Sequence, residues 1–157
     1  MERVAAGQDF LALVDYAHSP DALERLLVTA RELTRGRLLV VVGCGGDRDP
    51  HKRPVMGEIA ARDADVAILT NDNPRSEDPL AILAAMKEGA ARAGGRARVE
   101  VVPDRRAAIE KAVGMAGDGD VVVVAGKGHE QGQEVAGTVH PFDDRVVLRD
   151  AIGAVTA

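Results

Sequence analysis

The chain has 157 residues, 46% of them hydrophobic and 29% charged, with a net charge of −5. That composition gives one globular domain large enough for a genuine core and excludes a disordered segment; 2% aromatics, no Trp and dispersed basic residues argue against nucleic-acid binding. No apolar stretch approaches bilayer-spanning length, the N-terminus has no signal-peptide core, and the single cysteine, Cys44, excludes an internal disulfide, so a soluble, cytoplasmic protein is expected.

Taken in chain order, the first apolar run, Phe10 to Val14, reads as a strand. Ser19-Pro20-Asp21 then offers an N-cap, a first-turn proline and an early acid. It opens a helix whose inward face is Leu23, Leu26, Leu27, Ala30 and Leu33, ending at Gly36. Leu38 to Val42 is the second strand, and a weaker helical pattern follows over 54–62, with Met56, Ile59 and Ala60 inward. Val66 to Leu69 is the third strand. Asp78-Pro79 opens a helix with Ile82, Leu83, Met86 and Ala90 inward. Val99 to Val102 precedes a helix that starts at Pro103-Asp104 and buries Ala108, Ile109, Ala112, Val113 and Ala116. Val121 to Ala125 is the fifth strand, 133–142 reads as a hairpin turning at Gly137, and a last helix follows Asp143-Asp144 with Val147, Leu148, Ala151 and Ile152 inward. Short, β-branched, nearly continuous apolar strands alternating with helices predict an open, doubly wound, mostly parallel α/β sheet (Rossmann-like) with a small C-terminal hairpin. The whole chain, 1–157, is read as one domain.

In such sheets ligands gather outside the carboxyl ends of the strands, and four polar segments fall there. Asp15 to Pro20 runs into a helix N-terminus, where Asp15 suits a ribose hydroxyl and His18 a base; taken alone, a helix cap with a strand-ending acid and a surface histidine is the stronger reading. Gly43-Cys44-Gly45-Gly46-Asp47-Arg48-Asp49 permits close backbone approach and sets Arg48 to receive a carboxylate, although a flexible turn with paired charges has the same composition. Asp72-Asn73-Pro74-Arg75 combines an acid, an amide and a guanidinium on a stiff turn, a set suited to a zwitterionic amino acid; the bland reading is a polar turn with a surface ion pair. Gly126-Lys127-Gly128-His129-Glu130 lets backbone and Lys127 lie close to a ligand and sets Glu130 to bind an ammonium, or merely reverses the chain. None of the glycine loops fits a Walker A or dinucleotide fingerprint, and the histidines show no metal-ligand spacing, so no protein-bound metal is assigned. Cys44 reads as a buried, inert thiol, and His51 and His140 as solvent-facing.

Together the four strings, 15–23, 43–54, 70–79 and 125–133, resemble in order and spacing the C-terminal domain of the Mur ligases, most closely those that add meso-diaminopimelate to UDP-N-acetylmuramoyl-L-alanyl-D-glutamate. The resemblance implies that Arg48, Asp72, Asn73, Pro74, Arg75, Gly126 and Glu130 contact the incoming diaminopimelate. It further implies that Asp15 and His18 face ATP, and that Arg75 separates diaminopimelate-adding from lysine-adding relatives. A buried, unpaired guanidinium would reject lysine, which lacks the distal carboxylate. The family's N-terminal UDP-substrate domain and central ATPase domain, with the phosphate loop and Mg2+ ligands, are not in this sequence, so the chain reads as a partial ligase that is inactive alone. No catalytic residue is assigned within it. Two other readings stay open. One is a Mur or folylpolyglutamate-type ligase domain taking lysine or glutamate; the other is a non-catalytic module binding an amino acid or nucleotide.

Overall fold

The computed structural model describes residues 1–156. Six strands, β1 (Glu2–Arg3), β2 (Leu11–Asp15), β3 (Leu38–Val42), β4 (Val66–Leu69), β5 (Arg98–Val101) and β6 (Val121–Ala125), form one sheet in the order β1-β2-β6-β3-β4-β5. Every neighbouring pair is parallel except the antiparallel edge strand β1 on β2. Strands β7 (Gly132–Val135) and β8 (Thr138–Pro141) make a separate antiparallel hairpin.

The helices α1 (Pro20–Glu32), α2 (Lys52–Asp63) and α3 (Pro79–Ala90) cover one face, and α4 (Arg105–Met115) and α5 (Asp144–Thr156) the other. Strand periodicity divides the core accordingly. Leu38, Val40 and Val42 of β3 pack with Leu23, Met56 and Leu83, whereas Leu39 and Val41 pack with Ile109 and Leu148. All residues of β3, β4 and β6 are buried, the signature of parallel strands covered on both sides. The predicted architecture is therefore the observed one.

The predicted caps form as well. Ser19 Oγ accepts from Ala22 N at 3.3 Å, Asp78 Oδ1 from Leu80 N at 3.0 Å and Asp104 Oδ2 from Ala107 N at 3.0 Å. Some expectations need correction. Leu33, expected inward, is exposed, because α1 stops at Glu32 and Leu33 N turns back to the Ala30 carbonyl. Helix α2 spans Lys52–Asp63, longer than expected at both ends. It buries Arg53 and Gly57 along with its apolar residues, so its amphipathic signal in the sequence is weak. Strand β1 has only two residues, too few to give a period, and was not predicted.

The order β2-β6-β3-β4 sets the four polar segments side by side along one edge of the sheet. Beneath them lies a fully buried ion pair. Arg105, at the start of α4, donates from Nε to Asp144 Oδ1 at 2.8 Å and from Nη2 to Asp144 Oδ2 at 2.7 Å. Its remaining donors reach the carbonyls of Asn71 (3.0 Å) and Ala125 (3.2 Å), the residues just before Asp72 and Gly126. Burial works against the guanidinium charge, but Asp144 more than offsets it and holds the Arg105 pKa above its usual value. Arg105→Met should cost about 3–5 kcal/mol by leaving Asp144 buried and unpaired, and Arg105→Met with Asp144→Leu should recover much of that loss. Urea unfolding midpoints of the two variants check this.

Candidate functional site

Three of the four segments are stitched into one unit. Gly46 N donates to the Asn73 carbonyl at 2.7 Å, and a Cβ at Gly46 would overlap the Pro74 carbonyl, so only glycine allows this approach. Asp47, itself in the left-handed region, accepts at Oδ1 from Ser76 Oγ (2.6 Å) and at Oδ2 from Ser76 N (3.3 Å). The Ser76 hydroxyl and amide hold the Asp47 carboxyl below its ordinary range. Arg53 forks onto both oxygens of Glu77 and donates to the Gly45 carbonyl at 3.2 Å. The loop after β3 and the loop after β4 therefore move together.

Arg75 is bent into the left-handed region (φ 53°) because its backbone bonds the hairpin on both sides. Its N donates to the Glu134 carbonyl at 3.0 Å, and its carbonyl accepts from Ala136 N at 2.7 Å. The guanidinium bonds the carbonyls of Gly46 (2.9 Å) and Asn73 (3.4 Å) through Nη1, with Nε 3.6 Å from Glu134 Oε1. It is thus partly exposed and already partnered, which corrects the expectation of a buried, unpaired group. Arg48 is exposed and donates to the Asp47 carbonyl at 2.9 Å. A Cβ placed on Gly45 would stand 2.8 Å from Arg75 Nη1 and 3.6 Å from Arg48 Cγ, so both arginine side chains flank the same glycine.

Next to them is a compact polar cluster built on Lys127. This ammonium is fully buried, donates to Asn73 Oδ1 at 3.0 Å and Glu130 Oε1 at 3.2 Å, and lies 3.9 Å from Asp72 Oδ1. Asn73 Nδ2 completes the triangle to Glu130 Oε1 at 3.1 Å. Glu130, expected to be free for a ligand ammonium, therefore has one oxygen engaged by Lys127 and Asn73. Gly126 needs its φ of 118°, and a Cβ there would lie 2.6 Å from Asp72 Oδ2. Burial raises the Asp72 carboxyl above its usual range, countered by Arg105 and Lys127. Asp72, Asn73, Pro74, Arg75, Gly126, Glu130 and Arg48 thus line one region at the carboxyl ends of β3, β4 and β6.

The segment after β2 lies on the far side of the loop after β6. Gly126 N donates to the Asp15 carbonyl at 3.0 Å, while the Asp15 side chain accepts from Ala17 N at 2.9 Å. A cleft of about 450 Å3 opens here, lined by Met1, Asp15, Tyr16, Gly128, His129 and Arg145. His18 is exposed, its Nδ1 2.8 Å from the Tyr16 carbonyl and its ring 4.5 Å from that of Tyr16. Asp15 is therefore set apart from the Asp72–Arg75 loop by the Gly126–Gly128 turn, whereas the His18 carbonyl accepts from Lys52 Nζ at 3.1 Å at the start of α2.

Cys44 is buried, 3.6 Å from Met56 Sδ, and burial pushes its thiol up to about 12. His51 and His140 are exposed, as expected. Sequence reasoning set Lys127 close to a ligand, whereas it is buried among Asp72, Asn73 and Glu130; it did not assign Arg53, Ser76, Glu77, Arg105 or Asp144. One available signal was the pair Arg105-Arg106 in the first turn of a helix, where cations oppose the dipole and a buried one requires an acid.

A mostly parallel, doubly wound sheet with Gly-rich and Asp-Asn-Pro-Arg loops gathered at its carboxyl edge is an α/β domain with its polar loops at one end, and comparison with known proteins gives its family. The chain belongs to the Mur ligase family: the model of the "Mur ligase, glutamate ligase domain" matches residues 1–128. Its relatives are more particular. It is 61% identical over 154 residues to the UDP-N-acetylmuramoyl-L-alanyl-D-glutamate–2,6-diaminopimelate ligase of Streptomyces coelicolor, covering 97% of this chain and 30% of that protein. The enzyme of the same name from Geobacillus kaustophilus is 53% identical over 151 residues, covering 96% and 30%. A solved structure of a ligase so named superposes with a TM-score of 0.93 at 46% identity, over 100% of this chain and 32% of that one. The chain thus spans under a third of the length of these relatives.

Two outcomes follow. The raised Cys44 thiol makes folding favour the protonated form, so its stabilising contribution is complete below pH 9 and is lost as pH rises toward 12. Thiol labelling at pH 8 should accordingly be slow in the native protein and fast in urea. Lys127→Met should cost about 1–3 kcal/mol, because Asn73, Glu130 and Asp72 lose a shared cation, and a denaturant titration measures it.

Proposed function

We propose that this chain is the acceptor-binding C-terminal domain of an ATP-dependent ligase that joins meso-diaminopimelate to UDP-N-acetylmuramoyl-L-alanyl-D-glutamate in cytoplasmic peptidoglycan synthesis. The observation that carries the reading is that the Arg48 and Arg75 side chains flank one glycine, Gly45, beside the Asp72–Asn73–Lys127–Glu130 cluster at one sheet edge. A diamino dicarboxylate needs both signs of charge within one pocket, and this edge offers both. Arginine suits carboxylates bidentately, while Asp72 and the free oxygen of Glu130 suit an ammonium.

In the proposed reaction the substrate's glutamyl γ-carboxylate attacks the γ-phosphorus of ATP, releasing ADP and forming an acyl phosphate. The diaminopimelate amine then attacks the acyl carbon, forming the amide and expelling phosphate. Residues 72–75, 126 and 130 hold the acceptor so that its amine meets the acyl carbon, a positioning contribution. The cleft beside Asp15 is the place proposed for the nucleotide, with Tyr16, His129 and Arg145 in its lining and the His18 ring against that of Tyr16. Closure of this face over ATP would bring nucleotide and acceptor together. Among the described residues no group of three His, Cys, Asp or Glu side chains could hold a metal ion, and the Mg2+ of the proposed reaction would be held by the proposed central domain. The phosphate loop and the UDP-substrate site belong to the proposed N-terminal and central domains.

In the complete ligase, Arg75→Ala should lower kcat/KM for meso-diaminopimelate at least tenfold, about 1.4 kcal/mol or more, and narrow its preference over lysine. A preference for lysine that survives the substitution unchanged would overturn the choice of acceptor. Residues 1–157 alone should show no diaminopimelate-dependent ATP hydrolysis; tight amino-acid binding by this chain in isolation would favour a free-standing binding module instead.

A further inference from the structure

Arg75 does not face an empty pocket wall. The hairpin strand β7 is registered against it by backbone bonds on both sides of Glu134: Arg75 N donates to the Glu134 carbonyl at 3.0 Å, and Glu134 N donates to Asn73 Oδ1 at 2.9 Å. Gln133 Nε2 adds a third bond, to the Asp72 carbonyl at 2.8 Å. With its backbone fixed on Asn73 and Arg75, Glu134 places its carboxylate 3.6 Å from Arg75 Nε. The two Nη1 contacts of Arg75 are to neutral carbonyls, so Glu134 is the one carboxylate paired with this guanidinium among the described residues.

We propose that Glu134 is a specificity-determining residue that occupies Arg75 in the absence of acceptor and competes with the acceptor's carboxylate for it. The inference rests on the reading of Arg75 as the carboxylate receptor. A carboxylate arriving at Arg75 must either displace Glu134 or share the cation with it at close range, and both oppose binding. The pair is partly exposed, so its influence is modest and screened by salt. An amino acid lacking the second carboxylate makes no demand on Arg75 and meets no competition. Glu134 thus lowers affinity for the dicarboxylic acceptor while leaving amine recognition, carried by the Asp72–Glu130 cluster, untouched. The hairpin becomes part of the acceptor site rather than an appendage to it.

The test is a charge series at this position in the complete ligase: Glu134, Glu134→Gln and Glu134→Lys. The KM for meso-diaminopimelate at low ionic strength should fall in that order, by about two- to fivefold at the first step, and the differences should shrink in high salt. The kcat/KM for lysine should show no matching gain. A general disturbance of the hairpin would not sort by charge in this way. An unchanged KM, a KM that rises in Glu134→Gln, or an equal gain with lysine would each overturn the proposal. If the unsubstituted ligase does not use meso-diaminopimelate at all, the functional reading falls and this inference with it; if it does and the series is flat, only this inference falls.

Discussion

The buried guanidinium of Arg105 is the constraint on which the site depends. A parallel sheet delivers its strands' carboxyl ends to a common edge, but the backbone beyond each strand must still find partners once the ladder stops. Arg105 supplies them at two neighbouring places, bonding the carbonyls of Asn71 beyond β4 and Ala125 at the end of β6, with Asp144 balancing its charge. Asp72 and Gly126 follow directly in the chain. Their close approach, too tight for any side chain at position 126, is set from below by one cation that solvent never reaches.

Above that base the charges alternate at short range. Lys127 sits among Asp72, Asn73 and Glu130, and Arg75 lies beyond them on the side of Glu134. Two features of this layer suit a ligand with both amine and carboxylate groups. The carboxylates outnumber the cation buried with them, and the arginines at the outer side have carbonyl or exposed partners that can be exchanged. Side chains with several buried partners thus lie deepest, and those whose partners can be exchanged lie at the rim.

The fold was largely legible because its signals are local and repeated. Runs such as Leu38 to Val42 and Val121 to Ala125 can be little else than strands covered on both faces, and Ser19, Asp78 and Asp104 announce their helices. Legibility failed where the deciding interaction is distant in sequence. Leu33 has the right spacing for the core, yet the helix has ended before it; β1 exists only through its partner β2. The site motifs themselves stood out as polar segments after apolar runs. Their supports did not: the bonds of Arg53 to Glu77, Asp47 to Ser76 and Arg105 to Asp144 join residues that nothing in the sequence pattern pairs. The state of Arg75 and Glu130 was likewise unreadable, since both depend on which neighbours reach them first.

The left-handed turn at Arg75 gives selection a separate handle on the Asp72–Arg75 loop. Because that bend is satisfied by hydrogen bonds from the hairpin, substitutions along β7 alter the surroundings of the loop without disturbing the two cores or the strands that carry it. Changes can therefore accumulate in the hairpin first, with the sheet and its covering helices intact at every step.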